Sequence, residues 1–161
     1  QTGILIAGSG LPIDAVVSDF ISGAVELLTP AADADHWDLI EGQGSLFHPS
    51  YAGVSLGLLH GAQADALVVC HEPGRPHMRS LPDYKLPSLE DTIEANLSFA
   101  RRTNPRARLV GISLNTSSLP ADVASRLCAD STSSYGVPCV DPLRMGVDAI
   151  VTELEGLSWH D

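Results

Sequence analysis

At 161 residues, 44% of them hydrophobic and 18% charged, the chain can bury a sizeable core and is globular rather than disordered in composition. A formal charge of −11 disfavours nonspecific nucleic-acid binding, although a few local arginines suffice for a small anionic ligand. No apolar run reaches transmembrane length and no basic, signal-like start is present, so no membrane partner is expected. The first residue is Gln, which suggests a processed, cleaved or truncated chain. Cys70, Cys128 and Cys139 form no C-x-x-C, against a zinc knuckle or thioredoxin-type motif. Cys70 and Cys139 each end an apolar run and are expected to be buried thiols, and so few, widely spaced cysteines fit a reduced, cytoplasmic protein.

In chain order, helical spacing from Pro12 to Leu28 predicts a first helix with Pro12 in its opening turn. Residues 37–40 predict a short buried strand and 53–60 a short helix. Residues 66–70 are nearly all apolar, as in a strand covered on both faces. The segment 71–87 holds Pro73, Pro76, Pro82 and Pro87 and predicts a long ordered loop or a mobile lid. Ser88, with Asp91 three residues on, opens a helix in capping style that runs to about Arg102. A third strand follows at 108–114, a helix from Pro120 to about Ser134, a fourth strand at 138–140 and a last helix from Gly146 to about Leu154. This alternation predicts one α/β domain, a mostly parallel sheet with helices on both faces.

Ligands of such sheets gather at the C-terminal ends of the strands, and the residues that follow all four predicted strands are polar. Glu41, with Gly42, Gly44 and Ser45 behind it, is Walker-B-like: an acid at a strand end that holds Mg²⁺, then glycines that permit close approach. Yet no G-x-x-x-x-G-K-[ST] phosphate loop occurs in the chain. His48 lies just beyond and reads by itself as a surface or hydrogen-bonded histidine. The stretch His71-Glu72-Pro73-Gly74-Arg75-Pro76-His77-Met78-Arg79 sets two imidazoles, a carboxylate and two guanidiniums at a strand end. Arginine forks suit carboxylate or phosphate, and His or Glu suits a general base. His71, Glu72 and His77 lack a diagnostic metal spacing. Asn115 reads equally as a purine-edge amide or a cap, and Arg144 as a phosphate contact or, slightly better, a salt bridge to Asp141.

Gln1-Thr2-Gly3, the run 14–20, Glu41-Gly42-Gln43-Gly44-Ser45-Leu46-Phe47-His48-Pro49, the stretch 71–79 and Gly111-Ile112-Ser113-Leu114-Asn115-Thr116-Ser117 together resemble the DgcN-type D-glutamate N-acetyltransferase family, long known only as a domain of unknown function. Its C-terminal domain is similar to the P-loop fold of dethiobiotin synthetase. The resemblance implies a P-loop NTPase-like domain truncated at its N-terminus, 1–161 being its C-terminal part. It implies acetyl transfer from acetyl-CoA to the amine of an acidic D-amino acid, and a fragment inactive alone. The resemblance marks these segments and not the roles within them; from side-chain chemistry Glu72, His71 or His77 is expected as the base, Arg75, Arg79 and His48 are expected to face substrate, and Glu41, Gly42, Gly44, Ser45, Asn115 and Arg144 the cofactor. Mg²⁺ on Glu41 belongs to the alternative, an ATP-dependent carboxylate ligase or kinase; a non-catalytic binding module is the third reading. An exposed sheet edge left by a missing strand implies association with the N-terminal portion or with another copy.

Overall fold

The computed structural model describes residues 8, 10–33 and 35–158. After two single-turn 3₁₀ helices, Ile13–Ala15 and Ser18–Phe20, come α1 (Ile21–Leu28), α2 (Ala52–Ala62), β1 (Ala66–His71), β2 (His77–Met78), β3 (Leu81–Lys85) and α3 (Leu89–Ala100). They are followed by β4 (Arg108–Leu114), α4 (Ala121–Tyr135), β5 (Cys139–Val140), α5 (Pro142–Met145) and α6 (Asp148–Glu155). No helix among the described residues is long and apolar enough to cross a membrane. The chain divides into two compact units, one running to Ala64 with Ser98–Arg106 added, the other made of Asp65–Leu97 and the residues from Ala107 on.

In the first unit α1 lies on α2. Ile21 and Val25 are buried there, and Ser22 Oγ donates to the Gly57 carbonyl at 3.1 Å. Glycines set the approach. A Cβ on Gly57 would lie 2.6 Å from Ile21 Cγ2, and one on Gly61 would run into the Ser22 carbonyl and sit 2.7 Å from Val25 Cβ. α2 stops at Gln63 in the left-handed region (φ 47°), where Asn104 Nδ2 takes up the Gln63 carbonyl at 3.0 Å.

Two expectations change in this unit. The helix predicted from Pro12 breaks into the two 3₁₀ turns before α1, and Pro12 stands at the first turn's N-cap without a side-chain bond. Residues 37–40 form no strand: they join no ladder among the described residues, and Leu39 is 90% exposed. An apolar run becomes a strand only where backbone partners meet it.

The second unit holds a parallel sheet in the order β1-β4-β5, with β4 central. Val69, Ile112, Leu114 and Cys139 meet Ile93 of α3 and Cys128 of α4 in the core, with Leu89, Leu97, Leu127 and Tyr135 packed around it. On the opposite face of β4, Gly111 admits α6: a Cβ there would lie 2.8 Å from Ile150 Cγ1. Helices thus cover β4 on both faces, as the alternation predicts. β1 differs. Its second face carries exposed Val68 and Cys70, so Cys70 is not the buried thiol expected; Cys128 and Cys139 are buried.

The predicted capping box is formed, with Ser88 Oγ accepting from Asp91 N at 3.0 Å and donating to Asp91 Oδ2 at 2.6 Å. The segment 71–87 is more than a loop, because β2 and β3 pair as an antiparallel hairpin anchored by buried Met78. Pro82 sits within β3, which a two-stranded ribbon tolerates because each strand is an edge. The last helix starts at Asp148, after α5 has ended at Gly146 (φ 75°).

Candidate active site

Parallel pairing in the second unit brings three polar strand-end segments to one end of the sheet. Asn115 N donates to the His71 carbonyl at 2.9 Å, which extends the β1–β4 ladder by one bond into the loops. Thr116 then meets Asp141, the residue after β5. Its backbone N donates to Asp141 Oδ2 at 3.2 Å and its hydroxyl donates to the same oxygen. Asp141 Oδ1 accepts from Leu143 N at 3.0 Å and so caps α5. Arg144 lies beside it, with Nε 3.5 Å from Asp141 Oδ2, and Nη2 donates to the carbonyls of Thr116 and Leu119 at 3.2 and 3.0 Å.

Asp141 is 4% exposed, and its carboxyl is held below its ordinary value, first by the Thr116 hydroxyl and then by backbone donors, against the opposing effect of burial. A depressed carboxyl pKa contributes stability that is complete above the unfolded value and is lost as pH falls through the folded one. Asp141→Asn is therefore expected to cost about 2 kcal/mol at pH 7, the scale of buried hydrogen bonds to a charged group. Thermal melts should show the gap between the two proteins closing below about pH 4. A gap that does not change with pH would refute this role of the charge.

At the end of β1, His71 is partly buried and Glu72 and Arg75 form an ion pair at 2.9 Å, with side chains 32% and 37% exposed. The His71 pKa is lowered, chiefly by burial and then by the Arg75 charge, while Glu72 pulls it upward. The imidazole is thus neutral near pH 7, the form that accepts a proton. His77 stands on β2 opposite Lys85, and Arg79 lies in the turn between β2 and β3, where Ser80 takes φ 64°. Lys85, the chain's one lysine, belongs to no sequence motif; the cross-strand register is what sets it beside His77.

Asn115 Oδ1 accepts from Ser117 N at 3.2 Å, a local turn. Arg144 takes the salt-bridge reading, with its guanidinium already engaged by two carbonyls.

The Glu41 segment belongs to the first unit. Glu41 is exposed and follows no strand, so the strand-end placement from which its magnesium role was read is absent. Among the described residues no three His, Cys, Asp or Glu side chains gather as metal ligands. Gly42 leaves open space, whereas a Cβ on Gly44 would meet Tyr51 Cβ at 2.8 Å, which makes Gly44 a packing requirement. Ser45 Oγ accepts from Phe47 N at 3.1 Å. His48 Nδ1 accepts from Ser50 N at 3.1 Å, and its ring lies 4.4 Å from that of Tyr51.

Residues 1–151 match a family model described as a domain of unknown function, DUF1611_C, P-loop domain. A D-glutamate N-acetyltransferase of Pseudoalteromonas sp. is 58% identical over 154 residues, and one of Tritonibacter scottomollicae is 53% identical over 154 residues. Each alignment covers 96% of this chain and 46% of the relative. The crystal structure of a DUF1611 family protein from Anabaena variabilis has a TM-score of 0.81 at 34% identity, covering 98% of this chain and 46% of that one. The chain thus spans about half the length of the curated relatives it matches, 46% in each case.

Proposed function

We propose, for a chain that belongs to the DUF1611 family through its C-terminal P-loop domain, that the intact protein acetylates the amine of D-glutamate with acetyl-CoA. Two relatives bearing the name D-glutamate N-acetyltransferase, at 58% and 53% identity, support the reaction class. One observation carries the site: a partly buried, neutral His71 at the end of β1, next to the Glu72–Arg75 pair.

In this reading His71 takes a proton from the substrate ammonium, since only the free amine is nucleophilic. The amine nitrogen bonds to the thioester carbonyl carbon, the C–S bond breaks, the nitrogen sheds its second proton, and the departing thiolate takes up a proton in exchange. Arg75 presents a guanidinium fork to a substrate carboxylate, which displaces Glu72 from it. The Asp141–Thr116–Arg144 set fixes the neighbouring strand-end loops and need not touch substrate.

The test is an assay of the intact protein with D-glutamate and acetyl-CoA in the absence of ATP and Mg²⁺. Release of free thiol that depends on D-glutamate is expected. Strict dependence on ATP would overturn the reading in favour of a carboxylate ligase or kinase.

A further inference from the structure

The chain is strongly acidic, yet its hairpin is not. Residues 75–85 hold Arg75, Arg79 and Lys85 against a single carboxylate, Asp83, in a chain with 20 acidic and 9 basic side chains. Arg75 is committed to Glu72. The side chains of Arg79 and Lys85 are exposed and have no hydrogen-bond or ion-pair partner among the described residues.

The backbone holds these cations in place. Lys85 lies directly across the ladder from His77, Arg79 occupies the turn with Ser80 in the left-handed region, and Leu86 N closes the base on the Pro76 carbonyl at 3.3 Å. Met78 pins the ribbon into the core. Such a two-stranded hairpin is marginal by itself, so an anchored one that presents unpaired cations is suited to receive an anion. Guanidinium and ammonium groups both suit phosphate oxygens.

We propose that the β2–β3 hairpin, through Arg79 and Lys85, binds the phosphates of the acyl carrier, which moves Arg79 from the substrate, where it was expected from the sequence, to the carrier. This rests on the acetyl-transfer reading. CoA separates its thioester from its phosphates by a long flexible arm, so with the thioester at His71 the phosphates lie away from the strand end. The exposed hairpin is the cationic element next along the chain. D-glutamate, by contrast, is small enough to be held at the strand end alone.

The experiment is calorimetric titration of the intact protein and of its R79Q/K85Q variant with CoA, ATP and D-glutamate, with thermal melts to verify folding. CoA affinity is expected to fall about tenfold or more, the scale of losing charge-assisted hydrogen bonds, while D-glutamate binding stays within about twofold. CoA affinity within about twofold of the unmodified protein would overturn the hairpin assignment and leave acetyl transfer standing. A loss confined to D-glutamate, or to ATP, would also overturn it. If the unmodified protein binds no CoA, the acetyl-transfer reading falls and the hairpin assignment with it.

Discussion

Replacing His71 by Ala in the intact protein should lower kcat for acetyl transfer by about 10²–10⁴-fold, the range a positioned general base contributes. The KM for acetyl-CoA should move far less, since the imidazole serves the amine. The pH dependence is the sharper part. A base whose pKa is lowered by burial and by Arg75 is already deprotonated near neutrality, so kcat/KM should rise with pH along a limb centred below 6.5 and then level off. Arg75→Ala removes a cation that disfavours imidazolium and frees Glu72, whose carboxylate favours it. Both changes raise the His71 pKa, and the limb should shift toward alkaline pH. A limb that stays in place or shifts toward acid would remove His71 as the base. The same sign governs stability: the native state binds the His71 proton less readily than the unfolded chain, so this contribution weakens as pH falls through about 6.5.

Gly61→Val should cost about 3 kcal/mol, at the upper end of overpacking penalties. The new Cβ would meet the Ser22 carbonyl and Val25 Cβ, and backbone cannot rotate away as a side-chain tip can. α1 would have to lift off α2 and expose Ile21 and Val25. For a chain of this length that corresponds to a fall in Tm of roughly 6–12 °C. Gly53 in the same helix is the control, because no atom lies within 4 Å of where its Cβ would stand. Gly53→Ala should raise stability by up to about 1 kcal/mol through helix propensity alone. Opposite signs for two glycines eight residues apart would be hard to obtain from composition; equal effects would rule out the close helix approach.

What the sequence disclosed depended on whether neighbours were needed. β4 and the Ser88–Asp91 box were legible because a continuous apolar run and a three-residue capping spacing are local signals. The run at 37–40 looks the same as β4 to a periodicity argument, yet it has no ladder partner and Leu39 faces solvent. Cys70 departs from the buried thiol its apolar run predicts for a related reason: whether the second face of β1 is covered depends on α6, which reaches β4 at Gly111. Prolines hid the hairpin, since Pro73, Pro76, Pro82 and Pro87 read as loop until Pro82 is seen in a two-stranded ribbon. The polar strand ends were legible as a set, and parallel pairing gathers those of β1, β4 and β5. The Asp141–Thr116 contact was not, because it joins residues 25 apart whose meeting depends on strand order.

The grip of Arg144 on the Thr116 and Leu119 carbonyls has a consequence for how a ligand is received. A loop tied to the neighbouring strand end by charged bonds has lost its conformational freedom when the chain folds. A guest arriving there meets a surface whose ordering entropy is already settled, and the floor offers little induced fit. In the proposed reading this rigid base fixes the orientation of the substrate, and the β2–β3 ribbon, held to the core through Met78, meets the distal end of the carrier.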